Sequence, residues 1–273
     1  MGEGHYYPDL LARMAQFELT LLDWADAHKG NKKYVAFADK CWPAFPSQFG
    51  FEPCYVNSRL VSRGIPVSCE VDIYGALSEY IGMCASGDTV TLLDINNSVP
   101  QYIYDEDIAG KFDYSLTDTF MGFHCGNTPA CKMCNDRAVK YQLIQHRLLE
   151  PAGSDPDFTR GTLEGDIAPS DITFYRLQCD SEGNLRSYIA EGEILPVATR
   201  SFGGIAIFGI HEMGRFYRHV LVQKRYPHTV PLHSAITARS CLRSSSSWAF
   251  RTSLTTSPRA CRTRPRIRLL DLA

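Results

Sequence analysis

Along the first thirty residues the apolar positions repeat with the period of a helix. Leu11, Met14, Phe17, Leu21 and Trp24 recur every three or four residues, so residues 8–28 read as one amphipathic helix. Pro8 suits its first turn and Gly30 its stop. From residue 53 two patterns alternate. Residues 53–63 predict a helix ended by Gly64, and the apolar run 65–69 a short buried strand. Residues 71–86 predict a helix, with Ile73, Leu77 and Cys84 on one face and Gly87 at its end. Residues 89–95 and 120–124 read as further strands, and 138–149 as another helix. Strands separated by helices of this length predict a parallel sheet covered by helices.

After Pro151 the texture changes. Residues 171–178 and 185–195 predict strands joined by a hairpin turn at 180–184 (Asp-Ser-Glu-Gly-Asn). The stretch 201–210 is Gly-rich and apolar, and 211–223 reads as a closing helix. The expected fold class is therefore α/β. A parallel-sheet domain with flanking helices spans 1–150, and a smaller antiparallel β unit with its helix spans 151–228. A tail follows over 229–273.

The tail stands apart by charge. The chain holds 28 Lys+Arg and 30 Asp+Glu in 273 residues, but residues 229–273 carry 8 Arg, one Asp (Asp271), and no Lys, Glu or Gly. With no sustained period and a run of four serines from Ser244, this segment is expected to be disordered. The competing reading is a basic nucleic-acid arm. The near-neutral total gives no electrostatic reason to expect nucleic acid or a membrane surface as a partner. No apolar run is long enough to span a bilayer, and no secretory signal opens the sequence, so a cytoplasmic location is expected. In that setting ten cysteines read as thiols or metal ligands before disulfides.

Chemistry concentrates at predicted strand ends. Ligands of a parallel α/β sheet sit beyond the carboxyl ends of its strands. Glu70 follows the strand 65–69 at once, and Asp94 ends the next strand. If the two strands are neighbours, two carboxylates meet at one sheet edge and need a cation between them. His124, ending the third strand, is a natural further ligand. Mixed carboxylate and imidazole donors suit Mn²⁺ or another divalent cation. Strand-end acids also cap helices, and Asp72, Asn96 and Asn97 compete for that role. Cys125, Cys131 and Cys134 beside His124 form an H-C-x5-C-x2-C pattern. That pattern supports a second reading of the whole chain, a non-catalytic zinc-stabilised binding module. Glu164 and Asp166 are expected on a solvated turn.

Several ordered blocks resemble the L-fucose isomerase/L-arabinose isomerase superfamily, closest to its fucose isomerase-like branch. They are Arg63-Gly-Ile-Pro-Val-Ser-Cys-Glu-Val-Asp-Ile-Tyr-Gly-Ala-Leu77, Leu92-Leu-Asp-Ile-Asn-Asn97, Phe123-His-Cys-Gly-Asn127, Thr162-Leu-Glu-Gly-Asp-Ile-Ala-Pro169 and Ala190-Glu-Gly-Glu193. The resemblance covers roughly residues 35–228. It implies a Mn²⁺-dependent aldose–ketose isomerase working through an enediol on a monosaccharide. It places Glu70 and Asp94 as metal ligands and proton-transfer groups, with His124 and His228 as candidates to complete the ligand set. It also implies a homo-oligomer built from a longer chain, of which this would be a C-terminal portion, so turnover by this chain is expected to be weak. Finally, one inserted nucleotide after the His228 codon, with permitted codons, turns the following residues into His-Gly-Pro-Leu-Ala-Leu-Gly-His-Tyr-Gly-Lys. That segment resembles the family's closing one, so residues 229–273 are expected to be out of frame.

Overall fold

The computed structural model describes residues 6–96 and 99–234, together with two short strands at 252–253 and 268–272. The N-terminal layer is helical, as its periodicity predicts. A single 3₁₀ turn at Pro8–Leu10 leads into α1 (Leu11–His28). Leu10 and Met14 are buried against Val56, Leu60 and Val61 of α3 (Cys54–Ser62). Glu18 is 4% exposed on this seam. Its carboxylate pairs there with Arg59 and Arg63, the latter at 2.7 Å. Between them lie β1 (Phe37–Ala38) and α2 (Ala44–Phe49). The predicted strand 65–69 condenses to β2 (Val67–Ser68), which pairs with β1 in parallel. Next comes α4 (Ile73–Ser86), opened by the Asp72 carboxylate, which accepts from the Gly75 N–H at 2.8 Å, and closed by Gly87 in the left-handed region.

The remaining strands build one large sheet. They are β3 (Val90–Ile95), β4 (Thr119–His124), β5 (Ala138–Tyr141), β6 (Arg160–Asp166), β7 (Ser170–Cys179), β8 (Leu185–Ile194), β9 (Gly204–Gly209), β10 (Thr229–His233), β11 (Thr252–Ser253) and β12 (Arg268–Leu272). Their order is β11-β12-β8-β7-β10-β3-β4-β9-β6-β5. The hairpin of β7 and β8 forms where the turn residues predict it. Leu93, Phe120, Phe174, Tyr188, Phe208, Val230 and Leu232 fill its core. A closing helical segment packs on this core through Phe216 and Val220. It begins as α7 (Met213–Phe216) and widens into π-type turns over Tyr217–Gln223.

The expected parallel sheet is corrected in three respects. First, the architecture is mixed α/β but the large sheet is mostly antiparallel: β3 pairs antiparallel with β4 and with β10, and among the described residues of that sheet only β6–β9 runs parallel. A parallel crossover after β3 would have to return along about 20 Å of strand. Among the described residues of the connection the longest helical stretch is α5 (Gln101–Ile103) with the π turn at Tyr104–Ile108, a rise of about 12 Å over eight residues, and the chain reverses instead. Second, β2 and β3 lie in different sheets, so Glu70 and Asp94 are not ends of neighbouring strands. Strands from before and after Pro151 interleave in one sheet, and the texture change there is no division of it. Third, residues 138–141 are strand, not helix. Ala138 and Val139 are buried and pair with Glu164 and Leu163 of β6, and only α6 (Leu143–Leu149) is helical. Glu164 and Asp166 therefore sit on a strand, not a solvated turn. Glu164 meets Lys140 at 3.3 Å, and Asp166 accepts from the Thr199 hydroxyl at 2.5 Å.

The tail also departs from expectation where it is described. Residues 229–233 form β10, wedged between β3 and β7 with Val230, Leu232 and His233 fully buried, so they are not disordered. Apart from the strand positions of β11 and β12, the rest of the expected disorder lies outside the described residues.

Candidate active site

Asp94 is the penultimate residue of β3. In antiparallel register it faces Phe123 on one side and Thr229 on the other. Directly opposed residues share a sheet face. The Thr229 hydroxyl donates to Asp94 Oδ1 at 2.7 Å, and His228 Nε2 lies 3.7 Å from the same oxygen. The His228 carbonyl accepts from the Ile95 N–H at 2.8 Å, which fixes the histidine beside the strand end. Its ring stays 63% exposed, against 27% for the Asp94 side chain, so both reach solvent. They open onto a cleft of about 820 Å³. Phe123, Ile205 and Phe202 line one side of it, and Tyr217, Leu221 and Tyr226 of the closing segment the other. The π-type turns thus fall where the helix borders this cleft.

The other predicted residues are placed differently. His124 follows Phe123, so strand alternation turns it to the face opposite Asp94. There it is 4% exposed and its Nδ1 accepts from the Cys125 N–H at 3.0 Å. Glu70 is exposed at the end of β2. It has φ +61°, and Val71 has φ +59°. Two successive left-handed residues without glycine, one of them β-branched, are a costly backbone state that sites often store. The loop after β4 ties this turn to the sheet: the Asn127 amide donates to the Val67 carbonyl at 3.5 Å. Behind Glu70, Asp72 caps α4 and pairs through both oxygens with Arg176, which is 2% exposed.

Beneath the turn lies a buried polar group that no sequence motif announced. Burial pushes the Glu52 carboxyl up to about 9 and Asp39 up to about 6. Burial also raises the Cys125 thiol to about 12. These residues are far apart in sequence and meet only through the β1–β2 pairing and the loop after β4. The zinc pattern does not converge. Cys125 accepts from the Gln142 amide at 3.1 Å, Cys131 contacts the Thr89 hydroxyl at 3.6 Å, and the Cys134 N–H donates to the Asp166 carbonyl at 2.8 Å. The binding-module reading loses the cysteine cluster on which it rests.

The chain is similar to known proteins over much of its length. Residues 122–238 match the L-fucose isomerase, C-terminal domain, and the match continues past His228 into β10. The sulfoquinovose isomerase of Alkalicoccus urumqiensis is 25% identical over 228 residues, covering 82% of this chain and 44% of the relative. That of Clostridium sp. (strain MSTE9) is 27% identical over 162 residues, 59% of this chain and 30% of the relative. That of Priestia aryabhattai is 32% identical over 132 residues, 46% and 28% respectively. The chain spans less than half the length of these relatives. Residues 122–238 are thus similar to that domain; His228 lies within the matched stretch and Asp94 precedes it.

Proposed function

We propose that the chain works as a metal-dependent aldose–ketose isomerase of the L-fucose/L-arabinose isomerase type. The observation that carries the reading is the carboxylate–imidazole pair of Asp94 and His228 on an open cleft roomy enough for a monosaccharide. Their donor set suits a hard to borderline divalent cation such as Mn²⁺. Asp94, His228 and, from the strained turn, Glu70 would hold it. Bound there, the cation supplies Lewis-acid polarisation of the substrate carbonyl. The chain's own groups do the rest. A carboxylate takes the proton from the carbon next to the carbonyl, an enediol forms, and a carboxylate returns a proton to the neighbouring carbon. Thr229 fixes the Asp94 carboxylate through Oδ1 and leaves Oδ2 for this work. Phe123, Phe202 and Tyr217 offer flat surfaces for a sugar ring. His124 is left out of the ligand set because it points to the other face.

The relatives' name makes sulfoquinovose the first substrate to try, beside neutral aldoses. The test is Mn²⁺-dependent interconversion, read by separating aldose from ketose, with Mn²⁺ binding measured in parallel. Asp94→Asn and Glu70→Gln should each weaken Mn²⁺ binding and lower any turnover roughly 10²–10⁴-fold. A chain that binds Mn²⁺ equally well with either change would refute the assignment.

A further inference from the structure

Among the described residues one group of three brings metal-type donors together: a carboxylate oxygen of Asp39 and the sulfurs of Cys41 and Cys69, all within 4.8 Å of one another. Asp39 and Cys41 follow β1, and Cys69 follows β2. The parallel register, Phe37 against Val67 and Ala38 against Ser68, carries them to the same end of the small sheet. Cys41 and Cys69 are buried, at 8% and 2% exposure.

The surroundings are poor in positive charge and in donors. Asp39 Oδ2 accepts from the Asn57 amide at 2.7 Å, but Oδ1 is buried without a donor. Glu52, beside Cys41, is wholly buried. Neither of its oxygens accepts a hydrogen bond of ordinary geometry, although the Gln145 amide is near enough to favour the charged form slightly. Asn127 reaches Cys69 Sγ with its amide nitrogen at 3.6 Å, while its Oδ1 is also buried without a donor. The charged groups that act on Asp39 and Glu52 include no cation. Unpaired buried polar atoms are costly and call for a partner.

A cation would give the Asp39 and Glu52 carboxylates a positive partner. Two sulfurs and a carboxylate select a borderline-soft ion over Mn²⁺ or Mg²⁺. We propose that Asp39, Cys41 and Cys69 form a zinc site, and that the Glu52 carboxylate, which lies outside that close group, turns in from beside Cys41 as the fourth ligand. Zinc–sulfur and zinc–oxygen bonds of about 2.3 and 2.0–2.2 Å put tetrahedral donors about 3.3–3.8 Å apart. Donors already within 4.8 Å reach that spacing by small side-chain rotations. On binding, the two thiol protons and any carried by the carboxyls pass to solvent, and nothing is oxidised or reduced. The ion would clamp the ends of β1 and β2 beneath the left-handed pair Glu70–Val71. Its ligands are not those of the Asp94–His228 site, so this site stands or falls independently of the isomerase reading.

The test is a titration of the full chain, reduced and freed of metal with a chelator, first with Co²⁺ and then with Zn²⁺. Expected is a thiolate-to-cobalt charge-transfer band in the near ultraviolet, saturating at one equivalent and erased by Zn²⁺. Cys41→Ser and Cys69→Ser should abolish it, whereas Asp94→Asn and the Cys131→Ser/Cys134→Ser double variant should keep it. Since changing a buried cysteine can unfold a chain, X-ray absorption at the zinc edge of the unaltered protein gives a separate count, expected to be two sulfur and two oxygen ligands. No band in the folded parent, loss of the band in the Cys131→Ser/Cys134→Ser variant, or a sulfur count other than two would overturn the site.

Discussion

Asp72 holds together the turn that presents Glu70, and its removal can be costed. Its carboxylate performs two tasks. Oδ1 accepts from the Gly75 N–H at 2.8 Å at the start of α4, and both oxygens bind the Arg176 guanidinium, 2.9 Å from Nη2 to Oδ1. Arg176 is 2% exposed, and its Nε already lacks a partner. In Asp72→Ala the buried guanidinium keeps only Gln178 Oε1, at 3.1 Å. Breaking a buried pair costs about 3–5 kcal/mol. Asp72 is 20% exposed on its side chain, so water can enter and the low end, about 3 kcal/mol, applies. The lost cap adds about 1 kcal/mol. The sum, about 4 kcal/mol, corresponds to a fall of roughly 8–16 °C in Tm for a domain of this size. Asp72→Asn keeps an acceptor for Gly75 and removes only the charge, so it should lose about half as much. Urea denaturation of the three proteins, followed by far-ultraviolet circular dichroism, measures both. A loss below about 1 kcal/mol for Asp72→Ala, or equal losses for the two variants, would refute the reasoning.

Other consequences follow from buried or strained positions. Burial lowers His233 to about 4. The unfolded chain therefore binds a proton near pH 6.5 that the folded one refuses until about pH 4, and stability falls with pH across that window by on the order of 3 kcal/mol. The raised Glu52 and Asp39 carboxyls act in the opposite sense over the same window, so the imidazole is read as a difference: from pH 7 to 5 the urea midpoint of His233→Gln should gain on that of the parent, and an unchanged difference would speak against a buried neutral imidazole. A Cβ at Gly82 would sit 2.2 Å from His233 Nε2. Gly82→Ala should therefore destabilise by about 1–3 kcal/mol despite alanine's better helix propensity, and a stabilised variant would disprove the close packing of α4 on β10. Val71 holds φ +59° with half its surface exposed. Val71→Gly should be neutral or stabilising by up to about 1 kcal/mol, because relief of strain offsets glycine's entropy. A loss above 1 kcal/mol in thermal melts would show that the side chain contributes more than its strain costs.

What could be read from the sequence was local. The helices at 8–28, 53–63 and 71–86 carry both the right period and their stop glycines, and the β7–β8 hairpin carries its turn, so each stands where expected. Strand partners are not local. The apolar runs of β2 and β3 look alike, yet β2 closes a two-stranded parallel sheet and β3 enters a large antiparallel one. The short helical stretch in the connection after β3 bears on this, and the periodicity of the strand does not. The same limit shaped the site. Asp94 and His228 are 134 residues apart, and their meeting depends on Thr229 pairing with Asp94 in β10. Composition changes sharply at His228, which made the residues beyond it look like the start of a tail. Yet in the strand Thr-Val-Pro-Leu-His successive side chains point to opposite faces, which places Thr229 toward Asp94 and Val230 and Leu232 into the core. Composition reports whether a long segment can bury enough surface, whereas a five-residue strand needs only two edges to fill. Strand alternation also explains His124: a residue beside the right strand end still faces away when its neighbour Phe123 is the one opposite Asp94. The chemistry of this chain therefore rests on register, and a one-residue slip between β3 and β10 would separate the carboxylate from its imidazole while leaving the composition of both strands unchanged.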